Sequence, residues 1–213
     1  MNVQEQTTQY ETVSENQRIT VTLNQGESEY ERIRWVLQSI CKDKTRQNLC
    51  FVNASSDKVT CTNGMTLFQV DNNECLLPGM YTVLSNTAKL IVLQRVHNQD
   101  SLTFPNYEMV IPKNNLIESD IYTGKEGGNI DDKMINLQRV INHISLAYGK
   151  PWCCNAKFIE WAILGGKLDK CYIKQSQVCE VDGDDDVYTP DPLSALLLRG
   201  NDRLCVIMPV IRA

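Results

Sequence analysis

Nine cysteines, two histidines and one run of aspartates are the residues of this 213-residue chain whose types could do chemistry. The cysteines hold no CxxC pair, and Cys153 and Cys154 are adjacent, which suits two ligands of one metal poorly. Neither His97 nor His143 sits near them in sequence. An odd number of thiols without a secretion signal reads as reduced cysteines in a cytosolic protein, with no metal and no cofactor. His97 lies in the polar stretch VHNQDS and His143 in the helical pattern NLQRVINHISLAYG; both read as surface or packing residues rather than bases. Asp182, Asp184, Asp185 and Asp186 surround Gly183 without the spacing or terminal Glu of an EF-hand, so they read as a solvated loop. GxSxG, HExxH, P-loop and GxGxxG motifs are all missing, so the sequence points away from an enzyme.

Composition narrows the class further. Apolar residues are 42% and charged residues 22%, ordinary globular values that set aside disordered and collagen-like chains. Mean hydropathy is -0.30, and no run approaches the ~18 apolar residues of a membrane span. The first 17 residues are polar and read as a flexible tail, not a signal peptide. Net charge is -5. A protein that coats nucleic acid through a strong basic field carries the opposite sign, so DNA contact here is expected to be local or weak.

The elements that must position any site follow from periodicity and turn residues. RITVTL alternates as a strand. The next stretch places Tyr30, Ile33, Leu37 and Ile40 at helical spacing, and Ser28 with Glu31 spells a capping box at its start. NLCFVNAS, VTCT and MTLFQVD read as strands, the last two hinged at Asn63-Gly64. PGMYTVLS and AKLIVLQRV read as a hairpin, and FPNYEMVIP as an extended piece between Pro105 and Pro112. A polar loop with Gly124, Gly127 and Gly128 precedes a helix from about Asp131 to Tyr148. Asn155 can cap the helix AKFIEWAILGG, followed by the strands KCYIKQSQ, LSALLLRG and LCVIMPVI. Helix then three strands thus occurs at both ends of the chain. The fold class expected is α+β, with helices on one face of a curved antiparallel sheet.

Three segments then carry a resemblance. The closing stretch, with Asn155, Pro192-Leu193-Ser194 and Val206-Ile207-Met208-Pro209-Val210, resembles the end of the bacterial DNA polymerase sliding clamp (β subunit), with its "PLSP-like" strand and terminal "VMPMR". FPNYEMVIP resembles that family's "FPDYRRVLP", and CTNGMTL its "ATDGHRL". The likeness covers 18–71, 155–213 and the nine residues from Phe104. It implies a DNA-clamp-like fold and a DNA replication processivity factor that tethers a polymerase to DNA. It leaves a second reading open, a non-encircling adaptor or decoy that binds clamp-partner peptides. The arrangement favoured is one clamp-like domain over 18–213 with a central insertion at about 76–150; the alternative is two small domains, 18–104 and 105–213.

In that family the three motifs line a pocket for a short linear peptide. Carried over, the resemblance implies a peptide site of Thr62, Gly64, Met65, Thr66, Leu67, Pro105, Val110, Val206, Ile207, Met208, Pro209 and Val210. Met65-Thr66 replace a His-Arg pair and Glu108-Met109 an Arg-Arg pair, which changes the peptide preferred. For double-stranded DNA, contacted weakly and without sequence preference, it implies Arg32, Arg34, Lys42, Lys44, Arg46, Lys157 and Lys167. It further implies a cytoplasmic homo-oligomer, since a ring would take six copies of a one-domain chain or three of a two-domain chain.

Overall fold

The computed structural model describes residues 19–96, 103–114, 116–120, 142, 154–164, 167–176, 189–190 and 194–210. The expected helix near 131–148 (all but residue 142), the glycine loop, the aspartate run, the tail, both histidines, Cys153 and Cys179 lie outside them. The chain divides into two compact units, Met1–Asn63 with Gln69–Pro105 and Gly64–Phe68 with Asn106–Ala213.

The first unit contains β1 (Thr20–Asn24), α1 (Ser28–Val36), β2 (Val52–Ala54), β3 (Lys58–Thr62), β5 (Gly79–Asn86) and β6 (Leu90–Arg95). Strand β4 (Thr66–Asp71) contributes its last three residues to it. The strands run in the order β1-β6-β5-β2-β3-β4, and the β1–β6, β6–β5, β5–β2 and β2–β3 pairings are antiparallel. Alternation in β1 buries Val21 and Leu23 and exposes Thr22 and Asn24, as a strand with one wet face must. Register sets Val21 against Leu93 and Leu23 against Ile91, apolar pairs that fix the pairing. The β5–β6 hairpin, which falls in the stretch 76–150, pairs with β2 on one side and β1 on the other.

Helix α1 buries Tyr30, Ile33, Trp35 and Val36 and packs on β1, β3 and β6. Its start differs from the expected capping box. Ser28 is already helical, and the cap position belongs to Glu27. The Glu27 carboxylate accepts from the Asn24 backbone N–H (2.9 Å) and side-chain amide (3.1 Å), closing the turn out of β1. A carboxylate at that end also suits the helix dipole. The helix stops short of Ile40 and tightens into a 3-10 turn at Leu37–Ser39. There the Ser39 hydroxyl lies 2.8 Å from the Cys61 carbonyl of β3 and 3.2 Å from that of Val36. A hydroxyl that finds a tertiary acceptor competes with the helical ladder.

The second unit takes the first three residues of β4 and adds β7 (Leu116–Asp120), α2 (Ala156–Ile163), β8 (Lys170–Ser176), β9 (Thr189–Pro190), β10 (Leu196–Arg199) and β11 (Arg203–Ile207). Its order is β4-β11-β10-β8-β7, with β9 on β8. The Asn155 side chain accepts from the Lys157 N–H at 3.0 Å, the cap the sequence predicts. Ile159, Ala162 and Ile163 form the buried stripe of α2, which packs on β11. Gly200 turns β10 into β11. A Cβ there would lie 2.2 Å from the Lys167 carbonyl oxygen, so only glycine fits without moving backbone.

Candidate peptide-binding site

The site is built from three distant pieces of sequence within the second unit. The hairpin turn before β4 needs Gly64, whose φ is +85°, a left-handed conformation open to glycine at little cost. The turn delivers Met65, and the Met65 carbonyl accepts a 2.9 Å hydrogen bond from the Met208 N–H just past β11. Strands β4 and β11 are neighbours, so the first and last motifs lie side by side. Beneath them Leu67, Val206, Ala195 and Leu197 form one buried cluster. Tyr107 and Ile111 of the middle motif pack against it, with Leu116, Tyr172, Leu204 and Met208. The middle motif itself is not extended as expected: Tyr107–Val110 is a 3-10 turn. Prolines that cannot donate to a ladder stand on both sides of it.

Burial sorts the expected site residues into floor and surface. Leu67, Val206 and Ile207 are core residues, as is Thr66, so they support a surface rather than form it. Met65, Val110 and Val210 are each about two-fifths exposed (40%, 43% and 40%), and Met109 is 82% exposed. Met208 and Pro209 are half-buried. Thr62 and Pro105 belong to the first unit, Thr62 buried at the end of β3 and Pro105 half-buried. Tyr107 and Ile111 join the site through packing, and nothing in the sequence of the middle motif sets them apart.

Charge around this surface is mixed. Lys113 pairs with Glu108 at 3.5 Å, both exposed, and Lys170 with Glu118 at 2.7 Å. The Arg199 guanidinium lies over the Tyr172 ring, 5.6 Å from its centre. Burial, with the nearby Glu118 carboxylate, raises the Tyr172 hydroxyl above its ordinary pKa.

The expected DNA-contact residues separate by environment. Arg32 is 5% exposed, its guanidinium held by Glu29 at 2.8 Å and by the Asp71 carbonyl. It is a packing residue of the first unit, not a surface cation. Helical spacing brings it to the core side of α1, where the Glu29 carboxylate one turn back accompanies it. Arg34 is exposed and reaches the Tyr30 hydroxyl at 3.0 Å. Lys42, Lys44 and Arg46 are exposed on the segment after α1, with Arg46 donating to the Asn63 carbonyl at 2.9 Å. Lys157 and Lys167 are exposed in the second unit. Among the described residues no group of three or more His, Cys, Asp or Glu could hold a metal, and no helix is long and apolar enough to cross a membrane.

No family model and no curated protein matches the sequence. Solved structures do match in shape. The DNA polymerase III β subunit of Thermotoga maritima superposes with a TM-score of 0.51 at 13% identity, over 95% of this chain and 68% of that one. The chain has the sliding-clamp fold. The β subunit of Borrelia burgdorferi gives a TM-score of 0.53 at 11% identity, over 96% and 67%. The β sliding clamp of C. crescentus gives 0.51 at 12%, over 95% and 68%. Each clamp chain is thus matched over about two thirds of its length, by nearly the whole of this one.

Proposed function

We propose that this protein is a processivity factor: a clamp-fold subunit of two small domains that encircles DNA as a homo-oligomer and holds a polymerase by a short peptide. The observation that carries the reading is the convergence of three motifs on one apolar cluster, with the Met65 carbonyl and the Met208 N–H joined across it. Apolar side chains over a firm floor, two adaptable methionines and a close turn are what an extended apolar peptide needs. The two compact units, and the two-thirds share of each clamp chain, support the two-domain arrangement. The peptide is of Gln, Leu and Phe character, seated on Met65, Val110, Met208 and Val210. Two buried apolar side chains contribute roughly 3 to 6 kcal/mol before ordering costs, which leaves micromolar binding at best.

The net charge of -5 favours a second reading, an adaptor of the same fold that binds such peptides without encircling DNA. Light scattering separates the two. A ring of two-domain chains has three times the 24.2 kDa of one chain, whereas an adaptor is a monomer or dimer. Anisotropy titration of a labelled Gln-Leu-Phe peptide tests what both share. No binding by the wild-type chain would end both readings and leave the fold.

A further inference from the structure

Two thiols outside the peptide site share one acceptor. The Cys41 Sγ lies 3.8 Å from the Asp43 carbonyl oxygen, and the Cys50 Sγ lies 3.3 Å from the same oxygen and 3.6 Å from the Arg46 carbonyl. The Cys41 N–H donates to the Leu49 carbonyl at 3.2 Å, which lays the chain at Cys41 beside the residue that precedes Cys50. The Arg46 N–H also donates to the Asp43 carbonyl, at 3.1 Å, and the Asp43 carboxylate accepts from the Thr45 N–H and hydroxyl at 2.9 and 2.8 Å. The intervening segment is therefore folded back on itself. Cys41 is nearly buried, whereas Cys50 is half-buried and open to a reagent. Burial first, and then the neighbouring Cys41, pushes the Cys50 thiol up, so its thiolate is the minor form at neutral pH and exchange through it quickens as pH rises.

We propose that Cys41 and Cys50 are a redox-active pair that takes a small-molecule disulfide of the glutathione class as its oxidant. The Cys50 thiolate attacks one sulfur of that disulfide, forms a mixed disulfide and expels one thiolate, which takes up the proton Cys50 gave. Cys41 then loses its proton and attacks the Cys50 sulfur. The Cys41–Cys50 bond forms, the mixed bond breaks, and a second small thiol leaves with the proton of Cys41. The protein pair is oxidised by two electrons and the reagent is reduced to two thiols. The product closes a ring around 42–49, the segment that carries Lys42, Lys44 and Arg46. None of this depends on the clamp reading.

The test uses the full reduced chain, oxidised glutathione, an acid quench, alkylation and tryptic mass mapping. Cleavage after Arg34, Lys42, Arg46 and Lys58 places the two cysteines on peptides 35–42 and 47–58. In the wild type these peptides should be recovered joined to each other as the dominant linkage of Cys50. In Cys41→Ser the glutathione adduct should accumulate on Cys50, because nothing is left to resolve it. Cys50→Ser, changed at the less buried position, should leave Cys41 alkylated and unlinked. Wild-type protein in which Cys50 stops at the adduct, stays alkylated, or joins another cysteine as readily would overturn the proposal.

Discussion

At Met208 a half-buried side chain serves two roles, resting on the Leu67–Val206 cluster and facing the surface beside Met65. Met208→Ala should therefore weaken peptide binding by about 1 to 2 kcal/mol. Its cost in stability should fall below the ~2 to 5 kcal/mol of a core truncation. Leu67→Ala, at 2% exposure, should show the full core cost. Melting and peptide titration on both variants check this, and equal melting losses would place Met208 in the core. Cys75 gives a second residue-scale expectation. Burial, helped by the Glu29 charge, pushes its thiol up from 9.0 to about 12. Between those values the unfolded chain loses the proton and the folded chain keeps it, so stability falls as pH rises. Stability measured from pH 8 to pH 11 should decline less steeply in Cys75→Ala than in the wild type.

Elements whose signals are local were legible in the sequence. The β5–β6 hairpin, the Asn63-Gly64 hinge and the Asn155 cap each depend on residues within a few positions of one another. Asn155→Ala should accordingly cost ~1 kcal/mol and speed hydrogen exchange of the first-turn amides of α2 before those of α1. Unchanged exchange there would show that the cap contributes nothing. Glu27, not Ser28, stands at the cap position of α1, and its carboxylate bonds back to Asn24 rather than to a helix amide. Elsewhere, where the structure departs from the local signals, partners far away in sequence decide. The end of α1 comes early because Cys61, on β3, offers Ser39 a carbonyl. Arg32 looks like a surface cation in sequence and is packed through Glu29 and Asp71. The candidate site was legible as motifs, yet which residues form floor and which form surface is decided by burial, and Leu67 and Val206 fell on the side opposite to expectation.

For the molecule as a whole, the acidic balance makes any hold on DNA a matter of a few placed cations. If Lys42, Lys44 and Arg46 each meet a phosphate, binding should weaken with salt, each contact adding about 0.9 to the slope of log affinity against log salt. Replacing all three with Glu should flatten that slope and leave peptide binding unchanged. A slope that survives the replacement would move the DNA contact elsewhere.

Strand β4 has a consequence for how such a chain can be inherited. Its first three residues belong to one unit and its last three to the other, and Gly64–Phe68 interrupts the stretch that otherwise makes up the first unit. A single break in the gene therefore cannot release either unit whole. Recombination that exchanges one half at the natural-looking boundary after Pro105 would leave the recipient's own Gly64–Phe68 to complete the foreign partner's sheet. A chimera joined there should therefore fold well only when Gly64–Phe68 is exchanged together with the segment that follows Pro105.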